Sequence, residues 1–158
     1  GRGPATALSS ALVQKYGVKD LEELLQNFIT HEQEINAADA RLVFQVAAEG
    51  DPVAVELIRW AGRELGELAN AVIRQLHFED VSFDLVQIGS MFDGSPLLSE
   101  EMKKTVYPLA PKAIFIRAEE PPVVGAVLLG MKTTGTETNA WIRDNLIRTL
   151  APFRKNGV

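Results

Sequence analysis

The sequence of 158 residues contains no cysteine. Disulfide frameworks, thiolate zinc sites, cysteine nucleophiles and iron–sulfur clusters held by the chain are therefore excluded. Histidine is also scarce, since His31 and His77 are the only two, and each lies beside acidic residues at a predicted helix end. Two isolated histidines do not support a Ser-His-Asp arrangement. The residues thus yield no predicted catalytic group and no predicted metal ligand.

Long apolar runs and an excess of positive charge are missing as well. No run approaches the roughly 18 apolar residues that a bilayer crossing needs, and no signal segment opens the chain. Sixteen basic residues stand against 21 acidic ones, a net charge of −5, which does not favour nucleic acid or an anionic membrane as a partner. We therefore expect a cytoplasmic protein that binds neither of them.

Residues 1–80 carry apolar side chains at helical spacing. Helices are predicted from Pro4, after Asp20 and from about Asn36, and the dipeptide Asp51-Pro52 begins a long fourth helix. The apolar residues of this fourth helix form one stripe, which Ile58, Ala69 and Ile73 widen. Its members are Leu57, Ala61, Leu65, Leu68, Val72 and Leu76.

Two glycines interrupt the same long helix. Gly62 and Gly66 lie four residues apart and therefore on one face. Glycine costs about 1 kcal/mol in a helix interior relative to alanine. We expect close packing of this face against a strand or a neighbouring helix to offset that cost.

Residues 81–158 have a different pattern. Strands are predicted at residues 83–88 and 112–117, with helices at 96–106 and from Pro121 onward. The order strand, helix, strand predicts a right-handed parallel crossover. A parallel pair normally belongs to a larger sheet. Either the other strands lie on chain outside this sequence, or strands in the first 80 residues are unrecognised; the helical periodicity there favours the first explanation.

The fold class that follows is helix-rich α/β with a short parallel sheet. We expect one domain over residues 1–158, with a helical part at 1–80 and an α/β part at 81–158. The apolar fraction of 46% with 23% charged residues is typical of a folded globular chain.

The most promising site is the end of the first predicted strand with the loop that follows it, residues 86–96 (VQIGSMFDGSP). In open α/β sheets ligands gather beyond the carboxyl ends of strands, where glycines let the backbone approach them. The loop matches neither G-x-G-x-x-G nor the P-loop. From its pattern alone, an ordinary connecting loop is the favoured interpretation.

Four segments in a fixed order carry a family resemblance. They are residues 2–8 (RGPATAL), residues 47–54 (AAEGDPVA) leading into 61–65 (AGREL), residues 86–98 (VQIGSMFDGSPLL) and residues 121–126 (PPVVGA). Together they resemble the BadF/BadG/BcrA/BcrD-type ATPase family, whose best-understood members are N-acetylglucosamine kinases. That family belongs to the actin, Hsp70 and sugar-kinase superfamily, in which two ribonuclease H-like lobes close on ATP and Mg²⁺.

The resemblance implies that the chain is the C-terminal, nucleotide-side part of the second lobe, a partial ribonuclease H-like (actin-like ATPase) lobe. Gly89, Ser90, Met91 and Phe92 then match the adenosine-binding element, in which Gly89 and Ser90 would present backbone and Met91 and Phe92 would give apolar walls. The Gly62–Gly66 face of the long helix would pack close to this loop. The phosphate loops, the catalytic aspartate and the contacts to an amino-sugar substrate would all precede Gly1. We therefore expect the isolated chain to lack phosphotransferase activity. Gln87 departs from the aliphatic pattern that the family has in this strand.

A homodimer is also expected, because a partial lobe should leave an apolar face and an open sheet edge. Two other functions stay open. One is an ATPase that activates a radical dehydratase or reductase, although such activators hold an iron–sulfur cluster through cysteines and this chain has none. The other is a helical interaction module that binds no nucleotide.

Overall fold

The computed structural model describes residues 3–118 and 120–150. Within them it divides into two compact units, residues 3–85 with 89–115, and residues 86–88 with 116–118 and 120–150. Arg2, which opens the first segment of the family resemblance, lies outside the described residues.

The first unit begins with short helices. They are α1 (Ala7–Tyr16), α2 (Leu21–Ile29), a 3-10 helix (Ala37–Asp39) and α3 (Ala40–Ala48). The prediction that Pro4 opens α1 is wrong, because the Thr6 hydroxyl accepts a hydrogen bond from the Leu8 N–H and fixes the start at Ala7. Gly17 ends α1 in the left-handed region with φ +66°, as its position predicted.

The long helix α4 (Pro52–Leu76) begins where Asp51-Pro52 predicted. The Asp51 carboxylate accepts hydrogen bonds from the N–H groups of Val53 and Ala54, at 3.0 and 2.9 Å. It also accepts from the Thr6 hydroxyl at 2.9 Å and the Ala7 N–H at 2.8 Å. One carboxylate therefore caps α4 and ties its start to the start of α1.

The apolar stripe of α4 is buried only along its widened edge, where Ile58 and Ile73 are each 3% exposed. Leu68, Val72 and Leu76 are 67%, 51% and 53% exposed. The buried residues of α4 lie on a neighbouring face: Ala54, Ile58, Gly62, Gly66, Asn70 and Ile73. The small residues of this face admit a second helix at short distance, so the helix packs there and the larger leucines remain outside.

That second helix is α6 (Pro96–Val106). A Cβ atom added at Gly62 would lie 2.6 Å from the Leu98 carbonyl oxygen, and one added at Gly66 would lie 2.5 Å from the Thr105 Cβ. The close packing predicted for the two glycines is thus confirmed, with a helix as the neighbour. Between the same helices, the buried Asn70 side chain donates from Nδ2 to the Thr105 carbonyl at 3.1 Å.

The strands β1 (Phe83–Gln87) and β2 (Ala113–Arg117) are adjacent and parallel, as predicted. Their side chains alternate between faces. One face joins a core whose buried members are Ile73, Val106, Ala110 and Ala113. On the opposite face Val86 and Ile114 are each 50% exposed.

The second unit contains two helices, α7 (Pro122–Thr133) and α8 (Ala140–Leu150). The Arg143 guanidinium in α8 pairs with the Glu120 carboxylate at 2.7 Å. Trp141 is 73% exposed. No helix in the described part of the chain has both the length and the apolar content that a bilayer crossing requires.

Candidate functional site

The loop Gly89–Phe92 follows β1 and lies wholly in the first unit. Gly89 has φ +111°, and Ser90 turns the chain into the short helix α5 (Met91–Gly94). The Gly89 carbonyl accepts from the Phe92 N–H at 3.3 Å, and the Ser90 carbonyl accepts from the Asp93 N–H at 3.0 Å. The four predicted site residues are therefore held together in one compact turn at the carboxyl end of a parallel strand.

Gly89 is required by its backbone conformation. A φ of +111° lies in the region that side chains with a Cβ atom rarely adopt. A Cβ added there would meet no protein atom within 4 Å. The space in front of Gly89 is thus open, and the exposed Ser90 follows it. A flat ligand could approach the backbone of both residues without displacing any protein atom described.

Met91 and Phe92 were predicted to supply apolar walls. Met91, which is 44% exposed, lines an apolar cavity of about 220 Å³ with residues of α3, α4 and α6. The walls opposite it include Phe44, Trp60 and Leu98. Phe92 is half-buried and is not among the residues that line this cavity. The roles of Met91 and Phe92 as walls of a nucleotide site both stay predictions.

The loop is held by a contact that the sequence did not indicate. A Cβ atom added at Gly94 would lie 2.6 Å from Cδ2 of the Phe44 ring. Because Phe44 belongs to α3, this contact fixes α5 against the helical part of the unit. Glycine at 94 is needed here for close approach to the ring and not for a positive φ.

The Gly62–Gly66 face was also expected to pack near the loop. It packs on α6 instead, against Leu98 and Thr105. Leu98 in turn lines the cavity beside Met91. The glycine face therefore positions the helix that follows the loop, and makes no direct part of the site.

The start of α6 offers only a limited anion site. The Ser95 hydroxyl accepts from the Leu97 N–H at 3.3 Å and so satisfies one of the free donors of the helix terminus. Asp93, an acidic residue, lies in α5 just before it. The described residues of the loop carry no basic side chain to oppose a phosphate charge.

The nucleoside and the metal ion of ATP–Mg²⁺ need different groups from this site. An adenine needs an accessible backbone and an apolar wall; the backbone at Gly89 is open, and Met91 lines an apolar cavity that Gly89 and Ser90 do not line. Among residues 3–118 and 120–150, no group of three or more His, Asp or Glu side chains could hold a metal ion. The described residues therefore supply no set of ligands for Mg²⁺, and the nucleoside site stays a prediction.

A second polar cluster, in the helical part, was not predicted. The buried Asp39 carboxylate accepts from the Lys15 ammonium, from the Tyr16 hydroxyl at 2.8 Å and from the Asn36 N–H at 2.7 Å. The hydrogen bond from Lys15 is the main reason that the pKa of Asp39 lies below its ordinary value. Burial, together with the neighbouring Asp39, raises the pKa of Tyr16. All these groups are satisfied by each other, so the cluster joins α1 to the 3-10 helix and is structural.

His31 and His77 are both exposed and both have positive φ, at 58° and 55°. His77 ends α4 in the left-handed conformation. Their positions at helix ends agree with the surface role that the sequence favoured.

Models of known protein families give no match to this chain, and no curated protein matches it significantly. The geometry of the loop and the four segments of the sequence are therefore the grounds on which a function can be proposed.

Proposed function

We propose that this chain is the nucleotide-side part of an ATP-dependent amino-sugar kinase of the BadF/BadG/BcrA/BcrD type, with N-acetylglucosamine as the model substrate. In this proposal the chain forms part of a ribonuclease H-like lobe. The loop Gly89–Phe92 borders the adenine and the ribose of ATP. The amino sugar and the catalytic base belong to chain that precedes Gly1.

One observation carries the proposal. At the carboxyl end of a parallel strand, Gly89 holds a positive φ while open space lies in front of its Cα. Ligands of open α/β sheets bind at this place. Gly17 has the same open geometry, so the feature that singles out Gly89 is its place directly after strand β1.

Contacts between the resembling segments give further support. Thr6, in the first segment, donates to Asp51 in the second at 2.9 Å. Gly62, in the continuation of the second, packs on the Leu98 carbonyl, the last residue of the third. The residues that carry the resemblance thus include those that fix the framework behind the loop.

The role of the described residues is to bind and orient. The backbone of Gly89 and Ser90 approaches the nucleoside, and Met91 gives an apolar wall that excludes water from one side of the base. ATP would supply the transferred phosphoryl group, with Mg²⁺ neutralising its charge. No described residue is assigned to proton transfer.

The test is Gly89→Val in the intact kinase, with Gly17→Val as the matched control. Both glycines have positive φ and no protein atom within 4 Å of an added Cβ, so valine strains the backbone at both positions, and more at Gly89 (φ +111°) than at Gly17 (φ +66°). Valine at 89 would occupy the space proposed for the nucleoside. We expect the KM for ATP to rise by about tenfold or more, equivalent to about 1.4 kcal/mol, with the KM for sugar nearly unchanged.

Gly17→Val should leave both constants close to those of the parent enzyme. An unchanged KM for ATP in Gly89→Val would remove the loop from the nucleotide site. Kinase activity from residues 1–158 alone would show that the catalytic groups have been misplaced.

A helical interaction module is the second candidate function. It is favoured by the exposed apolar side chains of α4, of which Leu68 is 67% exposed. A module of this kind would show no saturable binding of ATP or ADP to the chain, whereas a nucleotide-side lobe would bind both.

A further inference from the structure

The short helix α5 cannot fix its own position. It has four residues, and isolated helices shorter than about 12 residues are marginal in water. Two backbone bonds close the turn around it, from the Phe92 N–H to the Gly89 carbonyl at 3.3 Å and from the Asp93 N–H to the Ser90 carbonyl at 3.0 Å. Contacts with other elements must therefore decide where the loop Gly89–Phe92 lies.

The side chain of Phe44 supplies such a contact at the end of α5. A Cβ atom added at Gly94, the last residue of α5, would lie 2.6, 2.7 and 2.8 Å from Cδ2, Cε2 and Cγ of the Phe44 ring. The backbone of Gly94 therefore rests against one side of the ring. Phe44 also lines the apolar cavity that Met91, the first residue of α5, lines. One ring thus borders both ends of α5.

The support from α3 is independent of the chain segment that carries the loop. The helix α5 contacts α6, which continues directly from it, and α3, which comes from a distant part of the sequence. Phe44 of α3 also lies outside the four segments that carry the family resemblance. Its contact with Gly94 is therefore a feature of this structure that the resemblance does not supply.

We propose that Phe44 is a positioning residue for the loop Gly89–Phe92. Its ring holds Gly94, and through Gly94 it holds the turn in which Gly89 and Ser90 present their backbone to the nucleoside. This inference rests on the proposed function, since the loop is the proposed nucleotide site. It adds a residue that touches no nucleotide but sets how tightly the site binds one.

Val46 provides a matched comparison in the same helix. It lies about 200° round α3 from Phe44, packs with Leu8 and Ala54, and is 4% exposed. Val46→Ala removes buried apolar atoms and so destabilises the protein, but it keeps the side chain that meets Gly94. Phe44→Leu keeps an apolar side chain and removes the flat ring. An effect on the loop in Phe44→Leu alone would therefore be specific to the ring.

The first experiment needs no nucleotide and measures amide exchange at Phe92 and Asp93, which reports local opening of the turn. Phe44→Leu should speed exchange at both amides by about threefold or more, a coupling typical of residues in contact. Val46→Ala should leave both rates as they are in the parent chain. Equal rates at these amides in the two variants would overturn the proposal.

The second experiment uses the intact kinase and separates this inference from the proposed function. Phe44→Leu should raise the KM for ATP by about threefold or more and leave the KM for sugar nearly unchanged, whereas Val46→Ala should change neither. If Gly89→Val raises the KM for ATP and Phe44→Leu does not, this inference is wrong and the proposed function stands. If Gly89→Val leaves that KM unchanged, the proposed function is wrong, and the exchange rates alone decide whether Phe44 holds the loop.

A third measurement tests the contact as the route of the effect. Gly94→Ala should also raise the KM for ATP, because the added methyl group displaces either the Phe44 ring or α5. In a Phe44→Ala background the three close ring atoms are absent, so adding Gly94→Ala should raise the KM no further. Losses that simply add in the double variant would contradict positioning through Gly94.

Discussion

Replacing Gly62 by alanine should destabilise the protein, although the same change stabilises an ordinary helix. In an open helix interior, Gly→Ala raises the free energy of unfolding by about 1 kcal/mol. Gly62 is not open, because its added Cβ would lie 2.6 Å from the Leu98 carbonyl oxygen and 2.9 Å from the Glu101 Cβ. Neither atom is the end of a flexible side chain, so α6 itself must move.

The magnitude follows from two opposing contributions. Overpacking of this kind costs about 1–3 kcal/mol, and the gain in helix propensity returns about 1 kcal/mol. Because the nearest atom belongs to the backbone, we expect the cost to fall in the upper half of its range. Gly62→Ala should therefore lower the free energy of unfolding by about 1–2 kcal/mol.

Native-state hydrogen exchange reports the change in stability helix by helix, so one method serves both this substitution and its control. In Gly62→Ala the amides of α4 and α6 should exchange faster. Gly125 is the matched control, since it lies inside α7 and an added Cβ would meet nothing within 4 Å. Gly125→Ala should slow exchange in α7. If both substitutions slow exchange in their own helices, the close contact between α4 and α6 is wrong.

Three further outcomes are expected. Asp39→Asn should lower the midpoint of urea unfolding at pH 7. Hydrogen bonding, first from Lys15, lowers the pKa of Asp39 in the folded protein, so its stabilisation is present above about pH 4 and is lost as the pH falls through that lowered pKa. The urea midpoints of the parent and the variant should therefore converge in acid. Gly94→Ala should move the Phe44 ring, and unchanged Phe44 NMR signals would contradict the 2.6 Å approach. Asp51→Ala should speed amide exchange at the starts of both α1 and α4, whereas an effect on α4 alone would exclude the link between them.

Local signals in the sequence predicted the elements of this fold well. Asp51-Pro52 marks the start of α4 because the Asp51 carboxylate caps the helix and the adjacent Pro52 is favoured in its first turn. Both signals are local and can be read from the sequence. The strand, helix, strand order likewise fixed the parallel pairing of β1 and β2. The start of α1 was predicted wrongly, because Thr6 is held there by Asp51, which is 45 residues away.

The buried face of α4 shows the limit of a hydrophobic pattern. Leucines gave the stronger apolar signal, yet the face of Gly62, Gly66 and Asn70 is the buried one. Close approach of α6 depends on the absence of side chains at the two glycines, which a hydrophobic count does not register.

The candidate loop was predictable in part. Its position followed from β1, and its glycine from the need for a turn. The contact between Phe44 and Gly94 joins residues 50 positions apart, and no local pattern indicates it.

The claim that the loop Gly89–Phe92 borders a nucleoside is tested most directly by titrating the ¹⁵N-labelled chain with ADP and following its amide signals. The affinity is expected in the millimolar range, about −4 kcal/mol, because this chain is proposed to contact only the nucleoside. We expect saturable shifts that are largest at Gly89 and Ser90 and extend to Met91. Gly89→Val should abolish these shifts, and Gly17→Val should keep them. Saturable shifts confined to other parts of the chain, or none at these three amides, would contradict it.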